Sequence, residues 1–220
     1  YGAAYGVSMR STLNAGGGDI SLRGINTGTT GMFNNLGVDL NDSVIRTTGS
    51  GWISIYGEYN ATVDGNPGIM LSLAGSTLGG TLQTQNGDIT LNGIAHHDDA
   101  SGVDISYANI STTGGNITIT GSSDASKYGI YGALGTVTSG GSGVIAETSN
   151  SGKIWLGTLT NWGNINVTSA GSIERDATLT RCQSGSLYFT ARGGTISDLG
   201  GALWVASNTY LIAETADHST

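Results

Sequence analysis

The sequence predicts an all-β chain wound into a β-solenoid with coils of about 20 residues, and three observations carry that expectation. The composition comes first: 38 glycines and a single proline accompany only 11% charged residues. Collagen would need Gly at every third position with abundant Pro, and disorder would need low hydrophobicity, whereas 37% of this chain is hydrophobic and much of that β-branched. Second, a short phrase of glycines followed by alternating apolar and polar residues recurs along the chain. Third, no glycine-free segment of about 12 residues places apolar residues at i, i+3, i+4 and i+7, so helix signals are almost absent.

The strands follow in order. In "GGGDISLRG" (16–24), Ile20 and Leu22 skip one residue and so share one strand face. The same spacing gives Ile53/Ile55 in "GSGWISIYG" (49–57) and Ile89/Leu91 in "NGDITLNG" (86–93). It continues as Ile117/Ile119 in "TTGGNITITGSS" (112–123), Ile154/Leu156 in "SGKIWLGT" (151–158) and Ile165/Val167 in "WGNINVTSAG" (162–171). These twelve residues are the expected core; Leu187/Phe189 and Leu203/Val205 repeat the pattern. The skipped residue is usually Ser, Thr or Asn, with Trp155, Tyr188 and Trp204 as exceptions.

A longer internal match supplies the repeat. "GVDLNDSVIRTTGSGWISI" (37–55) aligns with "GVDISYANISTTGGNITI" (102–119) at an offset of 65, slipping to 64 at Ile53 and Ile117. Three turns of about 20 residues would fill that offset. A propeller would need four strands per blade and a signature such as Trp-Asp, and leucine-rich repeats their Leu/Asn consensus; neither is present. In a solenoid like stacks on like, Gly is expected at corners with φ > 0, and Pro67 in a loop outside the ladders.

Charge and cysteine content exclude several functions. The net charge of −8 leaves no basic stripe for phosphates, so neither nucleic-acid binding nor attraction to an anionic membrane is expected. No apolar run is long enough for a membrane-spanning helix. Cys182 is the single cysteine, which rules out an internal disulfide and is read as a small buried hydrophobe rather than a reactive thiol. The opening "YGAAYGVSMR" lacks the features of a signal peptide, so residues 1–220 are expected to be one β-helical segment cut from a longer polypeptide.

Candidate chemistry is sparse, and no cofactor is expected. The "HHDD" stretch, His96–Asp99, crowds metal-ligand types together, but neighbours in an extended strand point to opposite faces, so a solvated loop is the expected role. Asp39, Asp42 and Asp104 raise the alternative of a polysaccharide lyase or hydrolase, which needs paired acids about 5–9 Å apart. Three coils would separate Asp39 from Asp104 by about 14 Å, so repetition explains them better and no catalytic or metal residue is assigned. "GGGD" (16–19) has no Gly-Lys-Ser/Thr after it, and "GGSG" (140–143) lacks the Asp and tandem copies of calcium-binding nonapeptides. Sequons occur at Asn41, Asn60, Asn109, Asn116 and Asn166; chance accounts for most of them in so Asn-, Ser- and Thr-rich a chain, and glycosylation stays open as the alternative. An ice-binding threonine array starting at Thr118 and Thr120 is broken by Asp88, Lys153/Trp155 and Asn164/Asn166.

The "GGxIxLxG" and "TTGGNITITGSS" phrases, from about residue 11 to 212, resemble the filamentous haemagglutinin family of bacterial exoproteins exported by two-partner secretion. The match is to the repetitive shaft, since the Asn-Pro motifs of the family's secretion domain are represented only by "GNPGI" (65–69). The resemblance implies a right-handed parallel β-helix, secretion to the bacterial surface, and a non-enzymatic part in adhesion, aggregation or filament formation. The implied partners are a host receptor or glycan, or neighbouring copies of the chain, without nucleic acid or membrane insertion. If the apolar pairs face inward, Trp52, Tyr56, Trp155, Tyr188 and Trp204 face outward. They are either covered by segments such as 57–68 or 121–135, or contact a partner.

Overall fold

The computed structural model describes residues 5–28, 35–60, 65–72, 79–97, 99–123, 127–175, 179–198 and 202–214. It is a right-handed parallel β-helix of eight coils, each contributing one strand to each of three parallel sheets. The first two coils hold β1 (Tyr5–Ser8), β2 (Thr12–Asn14) and β3 (Ile20–Asn26), then β4 (Leu36–Asp39), β5 (Val44–Arg46) and β6 (Ile53–Tyr59). The next two hold β7 (Ile69–Met70), β8 (Thr81–Thr84) and β9 (Ile89–Ala95), then β10 (Val103–Asp104), β11 (Asn109–Thr112) and β12 (Ile117–Ser122). Coils five and six hold β13 (Tyr128–Tyr131), β14 (Thr136–Ser139) and β15 (Ile145–Ser151), then β16 (Lys153–Leu156), β17 (Thr158–Asn161) and β18 (Ile165–Ser169). The last two hold β19 (Ile173–Arg175), β20 (Leu179–Cys182) and β21 (Leu187–Ala191), then β22 (Ile196–Asp198), β23 (Ala202–Val205) and β24 (Thr209–Ala213). Sheet A begins with β1, sheet B with β2 and sheet C with β3; within each sheet every third strand pairs in turn.

Stacking in register builds the core from columns of like residues. In sheet C, Ile20, Ile53, Ile89, Ile117, Ile145 and Ile165 pair successively and are buried. Sheet B adds Ile45, Leu82, Ile110, Val137 and Leu159, and sheet A adds Val38, Ile69, Val103, Ile130, Ile154 and Ile173. Eleven of the twelve expected core residues are buried. Leu22 is half-buried, because β3 lies at the edge of sheet C and only β6 pairs with it. Leu203, at 41% exposure, likewise lies on β23 at the edge of sheet B.

Coil length varies in a way the internal match concealed. Ile145, Ile165, Leu187 and Thr209 are successive partners, spaced 20, 22 and 22 residues apart, as expected. The coils from Ile53 to Ile89 and from Ile89 to Ile117 take 36 and 28. The extra length falls mainly in the connections from sheet C to sheet A and in the one joining β7 to β8. Asp39 and Asp104 both pair with Met70, so the offset of 65 spans two long coils rather than three short ones.

Glycine is needed chiefly for close approach. Positive φ occurs at Gly16, Gly49 and Gly152 among the described glycines. A column of others, Gly51, Gly87, Gly115, Gly143 and Gly163, precedes the sheet C strands, and a Cβ on each would lie 2.0–2.4 Å from the previous coil's glycine carbonyl oxygen. The next residue clamps the following coil: Asp88 Oδ1 accepts from Asn116 N at 2.7 Å, Asn116 Oδ1 from Val144 N at 2.8 Å, and Asn164 Oδ1 from Ser186 N at 2.9 Å. The Gly-Asx-Ile phrase is therefore a stacking device, with no side chain, then a cross-coil acceptor, then a core residue. Gly115→Ala is expected to force adjacent coils apart and cost roughly 1–3 kcal/mol, read from the denaturation midpoint. An unchanged midpoint would show that this column does not set the coil spacing.

Cys182 extends another column. Thr84, Thr112, Ser139, Asn161 and Cys182 are successive partners at the end of sheet B, buried and polar but for the thiol. Ser139 Oγ donates to Gly115 O at 3.1 Å, Asn161 Nδ2 to Gly143 O at 2.9 Å and Cys182 Sγ to Gly163 O at 3.0 Å. Burial pushes the Cys182 thiol up, against the opposing pull of backbone hydrogen bonds from Gly185 and Ile165. Its thiol is thus a buried hydrogen-bond donor as well as a small apolar filler.

Candidate functional site

The outer wall of sheet A concentrates the side chains that this fold does not need for stacking. Reading along the coils in register, the outward column is Asp39, Met70, Asp104, Tyr131, Trp155 and Glu174. Beside it Tyr128 pairs with Lys153, after a register shift between Tyr128 and Ile130. That irregularity puts Tyr128 on the same face as Tyr131, three residues on, a pattern that strict alternation does not reveal.

The three rings form one cluster. Tyr128 and Tyr131 centroids are 5.3 Å apart, Trp155 meets Tyr128 edge-on at 5.8 Å, and Tyr131 lies 6.0 Å from Trp155. The Tyr128 hydroxyl donates to Glu174 Oε2 at 2.8 Å, and Lys153 Nζ donates to Glu174 Oε1 at 3.1 Å. Burial, then that hydrogen bond and the negative charge of Glu174, raise the Tyr128 phenol above its ordinary range. Next to the rings a groove of about 390 Å³ opens, lined among others by Asn66, Pro67, Met70, Asp104, Tyr128 and Tyr131. Lys127 and Asp99 also line it and pair at 3.1 Å. The long connections build this groove: Asn66 and Pro67 lie between β6 and β7, and Asp99 lies between β9 and β10. Pro67 is accordingly outside the ladders, as expected.

Asp39 and Asp104 have a local structural task. Asp39 Oδ1 accepts from Asn41 N at 3.1 Å, and Asp104 Oδ1 from Ser106 N at 2.9 Å, so each turns the chain from sheet A toward sheet B. The turns continue into left-handed residues at Asp42 and Tyr107, with φ of 56° and 53°. Asp39 is fully buried, with Arg10 3.7 Å from its Oδ2, whereas Asp104 lines the groove. Two coils separate them, about 10 Å by coil spacing rather than 14 Å, yet the burial of Asp39 keeps it from any substrate. Burial raises the Asp104 carboxyl, and the Ser106 hydroxyl and amide oppose the rise.

The outward aromatics do not unite in one patch. Trp155 belongs to sheet A, Trp204 to sheet B, and Tyr56 and Tyr188 to sheet C, with Trp52 at the corner leading into β6. Tyr56 donates to Glu58 Oε2 at 2.7 Å and carries the Arg23 guanidinium 5.2 Å above its ring. Tyr188 stacks on Tyr210 with centroids 4.7 Å apart, and Arg181 lies 4.0 Å over Trp204, which is 57% exposed. Of the five, Trp155 adjoins the groove, and its neighbours Tyr128 and Tyr131 come from the 121–135 stretch read as a covering loop. Part of that stretch is the strand β13.

The His96–Asp99 stretch is split between partners. His96 Nε2 lies 3.4 Å from Glu58 Oε1, His97 Nδ1 accepts from Asp99 N at 3.3 Å, and Asp99 pairs with Lys127. Asp98 lies outside the described residues. Among the described residues, no three His, Cys, Asp or Glu side chains converge on a metal position. No protein-family model matches the chain, and no curated protein or solved structure shows significant similarity to it.

Proposed function

We propose that this chain is a non-enzymatic, adhesive stretch of a secreted bacterial surface exoprotein, and that the outer wall of sheet A is its contact face. The observation that carries the reading is the cluster of Tyr128, Tyr131 and Trp155 beside a groove built by long inter-coil connections. Loops raised on a rigid scaffold are where binding residues concentrate, and aromatic side chains combine large contact area with little lost rotamer entropy. The resemblance of the repeated phrases to filamentous haemagglutinin shafts supports the surface location and the adhesive role. The partner is a host receptor or glycan, or a neighbouring copy of the chain.

A carbohydrate-active enzyme is the second reading, favoured by one observation: Asp99 and Asp104 line the same groove. Against it, Asp99 is paired with Lys127 and Asp104 Oδ1 is occupied by its own turn.

Adhesion to host cells and self-association, measured for Trp52→Ser, Trp155→Ser and Trp204→Ser, test the proposal. Trp155→Ser is expected to weaken contact about tenfold at a nearly unchanged melting temperature, with little effect from the other two. Equal adhesion by all three variants and the parent chain would remove sheet A as the contact face. A large fall in melting temperature without a binding defect would assign Trp155 to packing.

A further inference from the structure

We infer that the groove on sheet A binds a neutral pyranose ring of a saccharide, with one face of the ring against Tyr131 and its hydroxyls directed to Asp104, Asn66 and Lys127. The inference rests on the proposed contact role of this wall and narrows the partner to one chemistry.

The lining is divided between apolar surface and directional polar groups. Met70, Pro67 and the tyrosine rings supply an apolar floor, and a pyranose presents C–H groups from one face that suit an aromatic ring. Around that floor are groups with unused hydrogen-bonding capacity. Asn66 lines the groove, and its buried Nδ2 has no hydrogen-bond partner among the described residues, a costly state that is relieved when the side chain turns to donate to a ligand hydroxyl. Asp104 uses Oδ1 for its turn, whereas no described protein group bonds Oδ2. A volume of about 390 Å³ falls within the range of small-ligand sites.

The charge pattern selects a neutral ligand over an ionic one. Lys127 neutralises Asp99 and Lys153 neutralises Glu174, at 3.1 Å in both cases. Burial weakens the tendency of Asp104 to ionise. An anion would find each lysine already paired, and a cation would find Asp99 and Glu174 already paired. A hydroxyl-rich, uncharged ring with an apolar face satisfies both halves of the lining.

The test uses the intact chain with lactose, maltotriose, mannotriose and chitotriose as probes and tetramethylammonium as a cation control, followed by tryptophan fluorescence and amide chemical shifts. At least one saccharide is expected to bind with a Kd of about 1 mM or tighter, and the cation not to bind. Tyr131→Ala and Asn66→Ala should each weaken that binding about fivefold to tenfold, by loss of the ring contact and of the amide donor respectively. If Tyr131→Ala fails to fold, Asn66→Ala decides alone. No binding by any saccharide, binding by both variants as tight as the parent chain's, or binding of tetramethylammonium alone overturns the inference. Adhesion that persists unchanged in Tyr131→Ala would overturn the sugar site and leave the adhesive role standing, whereas a chain that neither adheres nor self-associates fails the broader proposal.

Discussion

Ile117→Asp is expected to lower stability by about 3–5 kcal/mol, enough to unfold much of the helix, because it leaves an unpaired carboxylate in a closed column. Ile117 is fully buried, with Ile89 and Ile145 as its partners in the adjoining coils. The neighbouring Thr118 faces outward and is half-buried between Thr90 and Ala146. Thr118→Asp should therefore cost at most about 1 kcal/mol. Denaturation midpoints of the two variants give the comparison. Equal losses would contradict the assignment of faces, and with it the core.

The second large effect concerns a carboxyl already inside. Glu147 occupies the inward column of sheet C between Ile119 and Val167, where every other described residue from Leu22 to Leu211 is apolar. Its Oε1 is buried without a hydrogen-bond partner among the described residues, and burial pushes the carboxyl from 4.5 up to about 8. The folded state thus holds a proton that the unfolded state releases. Between those two values stability falls as pH rises, by a total on the order of 5 kcal/mol once both states are ionised. Below the unfolded value both states are protonated and the penalty vanishes. Glu147→Gln keeps the shape and removes the ionisation, so its advantage over the parent should be near zero in mild acid. It should grow through neutrality and level off above about pH 8. Parallel stability curves for the two chains from mild acid to alkaline pH would show that Glu147 reaches water.

The strands and most of the core were legible because a two-residue alternation of Ile, Leu and Val with Ser, Thr and Asn has one reading on a pleated strand. Register was legible only where the coils are short. From β3 to β12 the connections to sheet A vary in length, and the offset between Asp39 and Asp104 suits two long coils as well as three short ones. The glycine-rich corners were visible, but their reason was not. The carbonyls that exclude a Cβ from Gly87 and Gly115 belong to other coils and can be seen only after stacking.

The sheet A site was partly hidden for related reasons. Trp155 was identifiable as the polar-side residue between Ile154 and Leu156, while Tyr128 reaches the same wall only through the irregularity at Gly129. Asn66, Asp99 and Lys127 come from connections that carry no periodic pattern, and three coils bring them together. Glu147 was unremarkable within "VIAETSN" because alternation permits a polar residue at any single position. Its burial follows from its partners Ile119 and Val167.

The central claim is that the wall carrying Tyr128, Tyr131 and Trp155 makes contact without chemistry. Its most direct measurement is the fate of a polysaccharide held with the chain, with product size and new reducing or unsaturated ends analysed beside retained binding. The account predicts a bound polymer recovered at its original length, and contact that is weakened about tenfold in Trp155→Ser. Shortened products that form with the parent chain and disappear in Asp99→Asn or Asp104→Asn would contradict it and make the groove an active site.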